Sequence, residues 1–169
     1  MKNLKKLSQL IFLAILIPTL CHGAKQERHT IENSHTGITA LSPGLRSLLS
    51  REMQLLQQGM VEILPLYVSG EWAEIEQIAG KMEASYILQQ SLTAEQKHEL
   101  HSKLPDGFIE LDQQFHYLSG MLAHAAKMEK DELVGFYYSR MSETCISCHA
   151  RYATHKFPAL APKTPAHGH

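Results

Sequence analysis

Residues 108–125 read FIELDQQFHYLSGMLAHA, and this stretch decides the fold because it carries the most regular helical period in the chain. Its apolar side chains recur three and four residues apart, which places them on one face of an α-helix. These positions are Phe108, Leu111, Phe115, Leu118, Leu122 and Ala125. A helix with one apolar face buries that face against other elements, so the stretch predicts a packed helical domain.

The same period extends outward in both directions along the chain. Ser42 followed by Pro43 is a typical helix start, and Gly70 is a typical helix end, with Pro65 expected to bend or fray the last turn between them. The predicted helices span residues 43–69, 72–90, 94–103, 108–128 and 131–155. Short connections make the first two long helices antiparallel neighbours, and likewise the last two. The sequence therefore predicts an all-α fold, an antiparallel up-down-up-down four-helix bundle over residues 41–155.

Both termini have compositions that set them apart from this domain. Three lysines precede an apolar run of eleven residues, LIFLAILIPTL, and small residues follow it, so residues 1–23 are predicted to be a cleaved signal peptide. An uncleaved anchor is the alternative. Residues 24–40 are polar and are interpreted as a flexible leader, and residues 156–169 are interpreted as a disordered tail containing proline and histidine. The mature protein is thus expected in the periplasm.

Cleavage of the signal peptide would remove Cys21 and leave only Cys145 and Cys148. A disulfide between them would close almost no chain and would stabilise the fold little. Residues 145–149 instead read CISCH, the attachment sequence for c-type haem. On a helix the two thiols and His149 share one face, so they can tether one covalent haem and ligate its iron from the proximal side.

Two other kinds of chemistry compete for these cysteines. A zinc site needs four ligands, and histidines such as His98 and His101 would have to supply the other two. A thioredoxin-like pair expects alternating strands and helices, for which the sequence gives no indication. Five further histidines are predicted to lie at bundle edges or in solvent: His116, His124, His155, His167 and His169.

With the haem motif placed on the last helix, the chain resembles the class II cytochromes c, which include the cytochromes c′ and their low-spin relatives. The resemblance covers residues 41–156 and depends on CISCHARY at 145–152, on the helix pattern and on the turn at Gly70. The family often has a basic residue where this chain has Ala153. The resemblance implies haem held in a four-helix bundle, and often a homodimer formed through the first two helices.

The resemblance also places the distal face of the haem against the first helix. Low-spin members have a methionine ligand there, and high-spin members have an apolar residue that leaves the iron five-coordinate. Counting back from the first inter-helix turn, the position falls at Met53 or Gln54, and Met53 is favoured because it lies on the predicted inward face. Met60, a distal histidine, and simple core packing of the methionines remain alternatives.

Three functions follow from these patterns. The first is a one-electron carrier with histidine and methionine ligands, serving redox partner proteins that the sequence does not identify. The second is a five-coordinate haem protein that binds NO or CO. The third is a haem-free bundle using Cys145 and Cys148 for zinc or thiol chemistry. No nucleophile and base stand at a recognisable spacing, so the protein is not expected to be an enzyme, and a net charge of −1 predicts no nucleic-acid binding.

Overall fold

The computed structural model describes residues 37–163, and within them the chain is all-α, with five α-helices, two single 3₁₀ turns and no strand. The helices are α1 (Pro43–Ser69), α2 (Trp72–Glu83), α3 (Ala94–Lys103), α4 (Asp106–Lys127) and α5 (Asp131–Tyr152). Every helix in this part of the chain falls short of the length or apolar character that a membrane crossing requires. The predicted signal peptide, most of the leader, His167 and His169 lie outside the described residues.

The start and the end of α1 follow from local chemistry that the sequence predicts. Ser42 caps the helix, with its hydroxyl oxygen accepting from the Leu45 N–H at 3.4 Å, and Pro43 occupies the first turn. Gly70 ends the helix in the left-handed region at φ 73°. The helix continues through Pro65 as far as Ser69, so the expected fraying of its last turn is wrong.

The prediction that the second helix reaches Gln90 is also wrong, because α2 ends at Glu83. Ser85 lies in the left-handed region at φ 57°, which a continuing helix does not allow. The following turn donates hydrogen bonds to the buried carboxylate of Glu52 on α1 instead of extending the helix. A side chain distant in sequence, rather than a local breaker, therefore ends α2.

The last helices differ from prediction by only two or three residues. α4 starts at Asp106 rather than Phe108, and α5 ends at Tyr152 rather than His155. Gly107 in the first turn of α4 lies against α5, where an added Cβ would be 2.7 Å from the Tyr152 hydroxyl oxygen. The close approach of these helix ends explains why the chain has glycine there.

Two groups of buried side chains hold the helices together. The main cluster has members from α1, α2, α4 and α5, and it includes Ile63, Met82, Leu122, Val134 and Met141. The small cluster joins the start of α1 to the start of α4 and consists of Leu41, Leu45, Leu49, Leu104 and Phe108. α1 packs along α2 but makes few contacts with α5, which leaves space between α1 and α5.

The connection between α2 and α4 folds back over the start of α1. The Gly37 N–H donates to the Lys103 carbonyl at 2.6 Å, and the Ser42 N–H donates to the Glu99 carboxylate. Within the segment expected to be a leader, Ile38–Ala40 form a 3₁₀ turn, and Ile38 packs against the small cluster. At the other end, Pro158–Leu160 form a second such turn after α5.

Candidate functional site

A cavity of about 590 Å³ lies where α1 and α5 diverge. Its volume falls in the range of about 300–1,000 Å³ that is typical of small-molecule and cofactor sites. Apolar side chains from both helices and from the start of α4 supply most of its surface, including Leu49, Leu56, Phe108, Leu111 and Phe115. The cavity can therefore hold a mostly apolar ligand of cofactor size.

Three residues of the predicted attachment motif lie on the α5 wall of the cavity. Cys145, Cys148 and His149 all line it and are all half-buried. Spacings of three and four residues on a helix place them on the same face. The two thiols are free and do not form a disulfide.

The α1 wall carries the predicted distal residue. Met53 lines the cavity, is half-buried, and packs against both the main and the small cluster. Gln54 and Met60 line the same cavity, so the structure brings both methionines and the motif residues to one site. Tyr138 on α5 donates a hydrogen bond from its hydroxyl to the Met60 carbonyl at 3.1 Å, which joins α1 to α5 beside the cavity.

Burial sets the protonation state of the two thiols and of the His149 imidazole. Burial raises the pKa of the Cys145 thiol. Burial also raises the pKa of Cys148 to about 11, with smaller contributions from the charge of Asp112 and from Cys145, while Arg151 opposes them. Burial lowers the pKa of His149, because the charged imidazolium is poorly solvated there. At neutral pH the cavity thus presents two protonated thiols and a neutral imidazole with a free lone pair.

The chain after α5 returns to contact His149. The Phe157 ring stacks on the His149 imidazole, with centroids 4.4 Å apart and 13° between the planes. Tyr152 packs edge-on against Phe108 of α4, with centroids 5.5 Å apart. These contacts fix the orientation of the last turn of α5. The sequence interpretation missed Phe157 because it assigned residues 156–169 to a disordered tail.

His116 does not lie at an exposed edge as predicted. It is 8% exposed, and its Nδ1 lies 2.6 Å from the Met82 carbonyl. A carbonyl only accepts, so Nδ1 carries the proton. Burial opposes the charged form of this ring, but Asp112, the Met82 carbonyl and the charge of Glu52 together raise its pKa. His116 directly follows Phe115 on α4, and the packing of α4 on α2 buries both side chains.

The other histidines agree with the prediction of solvent exposure: His98, His101, His124 and His155 are exposed. His98 and His101 lie on α3, whereas the cysteine pair lies on α5. Among residues 37–163 no group of three or more His, Cys, Asp or Glu side chains is arranged to hold a metal ion.

Glu52 is the important residue that sequence reasoning missed. It is fully buried, one position before Met53, and its carboxylate holds the turn after α2. The available signal was an acidic residue flanked by Leu49 and Leu56 on the inward side of a predicted helix. A buried acid needs a partner to offset its desolvation. The partners here are two backbone N–H groups and the Ser85 hydroxyl, which no sequence pattern identifies.

Comparison with known proteins gives no matching family model, no matching curated protein and no matching solved structure. Functional inference for this chain therefore depends on its motif and on the geometry of the cavity.

Proposed function

We propose that this protein is an exported c-type cytochrome of the class II kind, which carries one covalent haem between α1 and α5 and transfers single electrons. The observation that carries the proposal is that Cys145, Cys148, His149 and Met53 all line one cavity of about 590 Å³. Two tethers and a proximal ligand lie on one wall, and a thioether lies on another. Such a set fits a flat macrocycle held from both faces.

The chemistry of the donors fits this group. Cys145 and Cys148 would hold the group as thioether tethers, since addition of each S–H across a vinyl group would form one C–S and one C–H bond and would require no oxidant. The neutral His149 ring offers a nitrogen lone pair, and the thioether of Met53 suits a low-spin iron of raised potential. When bound, the haem supplies a one-electron couple. The chain supplies the ligands, and its apolar side chains, such as Leu49 and Phe115, exclude water.

The fold proposed for this function is an antiparallel four-helix bundle made of α1, α2, α4 and α5. Two residues join α1 to α2, and three join α4 to α5, which suits antiparallel neighbours. α2 packs on α4, and α1 packs on α2, as successive members of such a bundle would. The α3 segment belongs to the longer connection that joins the two helix pairs.

High thiol pKa values argue against a thiol-redox role for the same cysteines. The thiolate is the reactive form in disulfide exchange, and redox-active pairs have pKa values below the usual value near 8.5. Cys148 departs from it in the opposite direction, to about 11. Its burial thus suits a thiol that is used once for attachment rather than in turnover.

The proposal is tested by producing the full chain in an export host that attaches haem to such motifs. Intact mass should show the mature chain plus one haem. Optical spectra of the oxidised and reduced protein should show a low-spin iron with histidine and methionine ligands. A mature chain without added mass would overturn haem attachment, and a high-spin reduced spectrum would overturn ligation by Met53.

A second candidate function is binding of a diatomic gas, which the same cavity geometry allows. Met53 is flanked in the cavity wall by the apolar side chains of Leu49 and Leu56. If the thioether only packs there, the distal face is apolar and the iron has an open position. Fast CO binding to the reduced wild-type protein favours this role, and a lack of CO binding favours electron transfer.

A further inference from the structure

The structure contains a buried carboxylate that the proposed haem chemistry does not use. Glu52 is fully buried in the middle of α1. Withdrawal of a carboxylate from water costs several kcal/mol unless hydrogen bonds replace the lost solvation. No buried side-chain nitrogen or oxygen among residues 37–163 lacks a hydrogen-bond partner, so this cost is offset by specific donors.

All the donors to Glu52 come from one turn. Its Oε1 accepts from the Ser85 hydroxyl and from the Tyr86 N–H, both at 2.9 Å, and its Oε2 accepts from the Ile87 N–H at 2.6 Å. The Ser85 hydroxyl oxygen also accepts from the Leu88 N–H at 3.1 Å. The carboxylate therefore lies in a preformed set of donors that hold both of its oxygens.

That turn is itself fixed to the rest of the fold. The end of α2 is joined to α4 by a hydrogen bond from the Ser119 hydroxyl to the Ala79 carbonyl at 2.8 Å. His116 adds a second, to the Met82 carbonyl. The donors to Glu52 thus follow directly on a helix end that is held to α4, and α1 is the element that they contact.

Helix geometry links this contact to the cavity. Successive residues on an α-helix are about 100° apart around its axis. With Glu52 directed at the turn after α2, Met53 is directed into the cavity, where it lines the wall. A ligating side chain must be held within about 0.5 Å and about 10–20° of its productive geometry. α1 makes few contacts with α5, so contacts on the α5 side do little to set the rotation of α1 about its axis.

We infer that Glu52 is a positioning residue for the distal side of the haem: its hydrogen bonds to the turn at residues 85–87 set the rotation of α1 and keep the Met53 thioether over the iron. This inference depends on the function proposed above. It assigns Glu52 no contact with the haem. Loss of the carboxylate charge should leave haem attachment intact and should weaken only the bond from methionine to iron.

The test compares Glu52→Gln with Glu62→Gln, a matched change at an exposed position of the same helix. Both variants should carry one haem by intact mass. In Glu52→Gln the charge-transfer band of methionine-ligated ferric haem should weaken. CO should bind the reduced variant about tenfold faster, the factor by which one charge-assisted hydrogen bond shifts an equilibrium. Glu62→Gln should match the wild type in both measurements.

A second variant covers the case in which Glu52→Gln does not fold. Ser85→Ala removes one donor from the turn and leaves the sequence of α1 unchanged, so it should shift the same band and the same CO rate in the same direction by up to about tenfold. The inference is overturned if a folded Glu52→Gln protein keeps the wild-type band intensity and CO kinetics. If Glu52→Gln does not fold, the same result in Ser85→Ala overturns it. Wild-type protein with attached haem but no methionine band also overturns it, whereas wild-type protein without haem overturns the proposed function itself.

Discussion

The His149 imidazole and the Phe157 ring lie almost parallel, with centroids 4.4 Å apart. Phe157 follows the end of α5, so a short return of the chain places an aromatic ring against the proposed proximal ligand. This contact contributes to the burial that lowers the pKa of His149. It therefore favours the neutral imidazole that can ligate iron.

Replacement of Phe157 by alanine should destabilise the protein and expose His149. The free energy of unfolding should fall by about 0.5–1.5 kcal/mol, the usual contribution of an aromatic pair, as measured by urea denaturation. In a haem-free Cys145→Ser, Cys148→Ser background, the pKa of His149 measured by NMR should rise toward its ordinary value. Phe136→Ala, at an exposed position of α5, should leave that pKa unchanged. A His149 pKa that stays the same in both variants would contradict this role.

Substitution of the two cavity methionines should separate their roles. Met53→Leu keeps the side-chain volume but removes the sulfur, so the iron should become five-coordinate and its reduction potential should fall. CO should then bind the reduced protein at least about tenfold faster, because no ligand must leave first. Met60→Leu is the matched control, since Met60 lines the same cavity on the same helix. If Met53→Leu has the wild-type spectrum and Met60→Leu has a changed one, the distal ligand is Met60 and not Met53.

The pH dependence of stability should depend on His116. Its pKa in the folded protein is raised, against the effect of burial, by Asp112, the Met82 carbonyl and Glu52. Below the unfolded-state pKa of about 6.5 both states bind the proton, and the full stabilisation is present. As pH rises through the higher folded-state pKa, the proton is lost and this stabilisation disappears.

The measurement is urea denaturation of the haem-loaded protein across this pH interval. Wild-type stability should decline from pH 6 upward, and His116→Gln should show a flatter profile. His124→Gln is the control, because His124 is exposed on the same helix. A decline that is just as steep in His116→Gln would assign the titration to another group.

Two glycines offer a direct test of how closely α1 and α2 pack. A Cβ added at Gly59 would lie 2.6 Å from the sulfur of Met82, which is fully buried and has little room to move. Gly59→Ala should therefore lower the free energy of unfolding by about 1–3 kcal/mol. Gly80→Ala on α2 meets nothing within 4 Å and should raise it by up to about 1 kcal/mol, through helix propensity. Thermal or urea unfolding of the two variants should give shifts of opposite sign.

Helix positions were largely predictable because they depend on local period and caps. Ser42 and Gly70 bound α1 as their types suggest, and the period over residues 108–125 lies within α4. The end of α2 was not predictable from local signals. It depends on Glu52, whose partners lie more than thirty residues later and are mostly backbone N–H groups.

Of the residues in the candidate site, some were predictable from the sequence and others were not. Cys145, Cys148 and His149 could be chosen from the sequence because their spacing is itself what the proposed haem attachment requires. That Met53 lines the same cavity follows from the helical period of α1, since Leu49 and Leu56 flank it on the same face. Phe157 and the buried state of His116 depend on how separate elements meet, and the spacing of residues along the chain contains no such information.

Met53 is the side chain at which the two hydrophobic clusters meet. The small cluster, made of the start of α1, Leu104 and Phe108, has few members and should open at a lower free energy than the main cluster. Each such opening removes the packing of the small cluster against Met53 while the main cluster stays in place. Amide hydrogen exchange at residues 41–49 therefore reports how often the α1 side of the cavity is released without global unfolding.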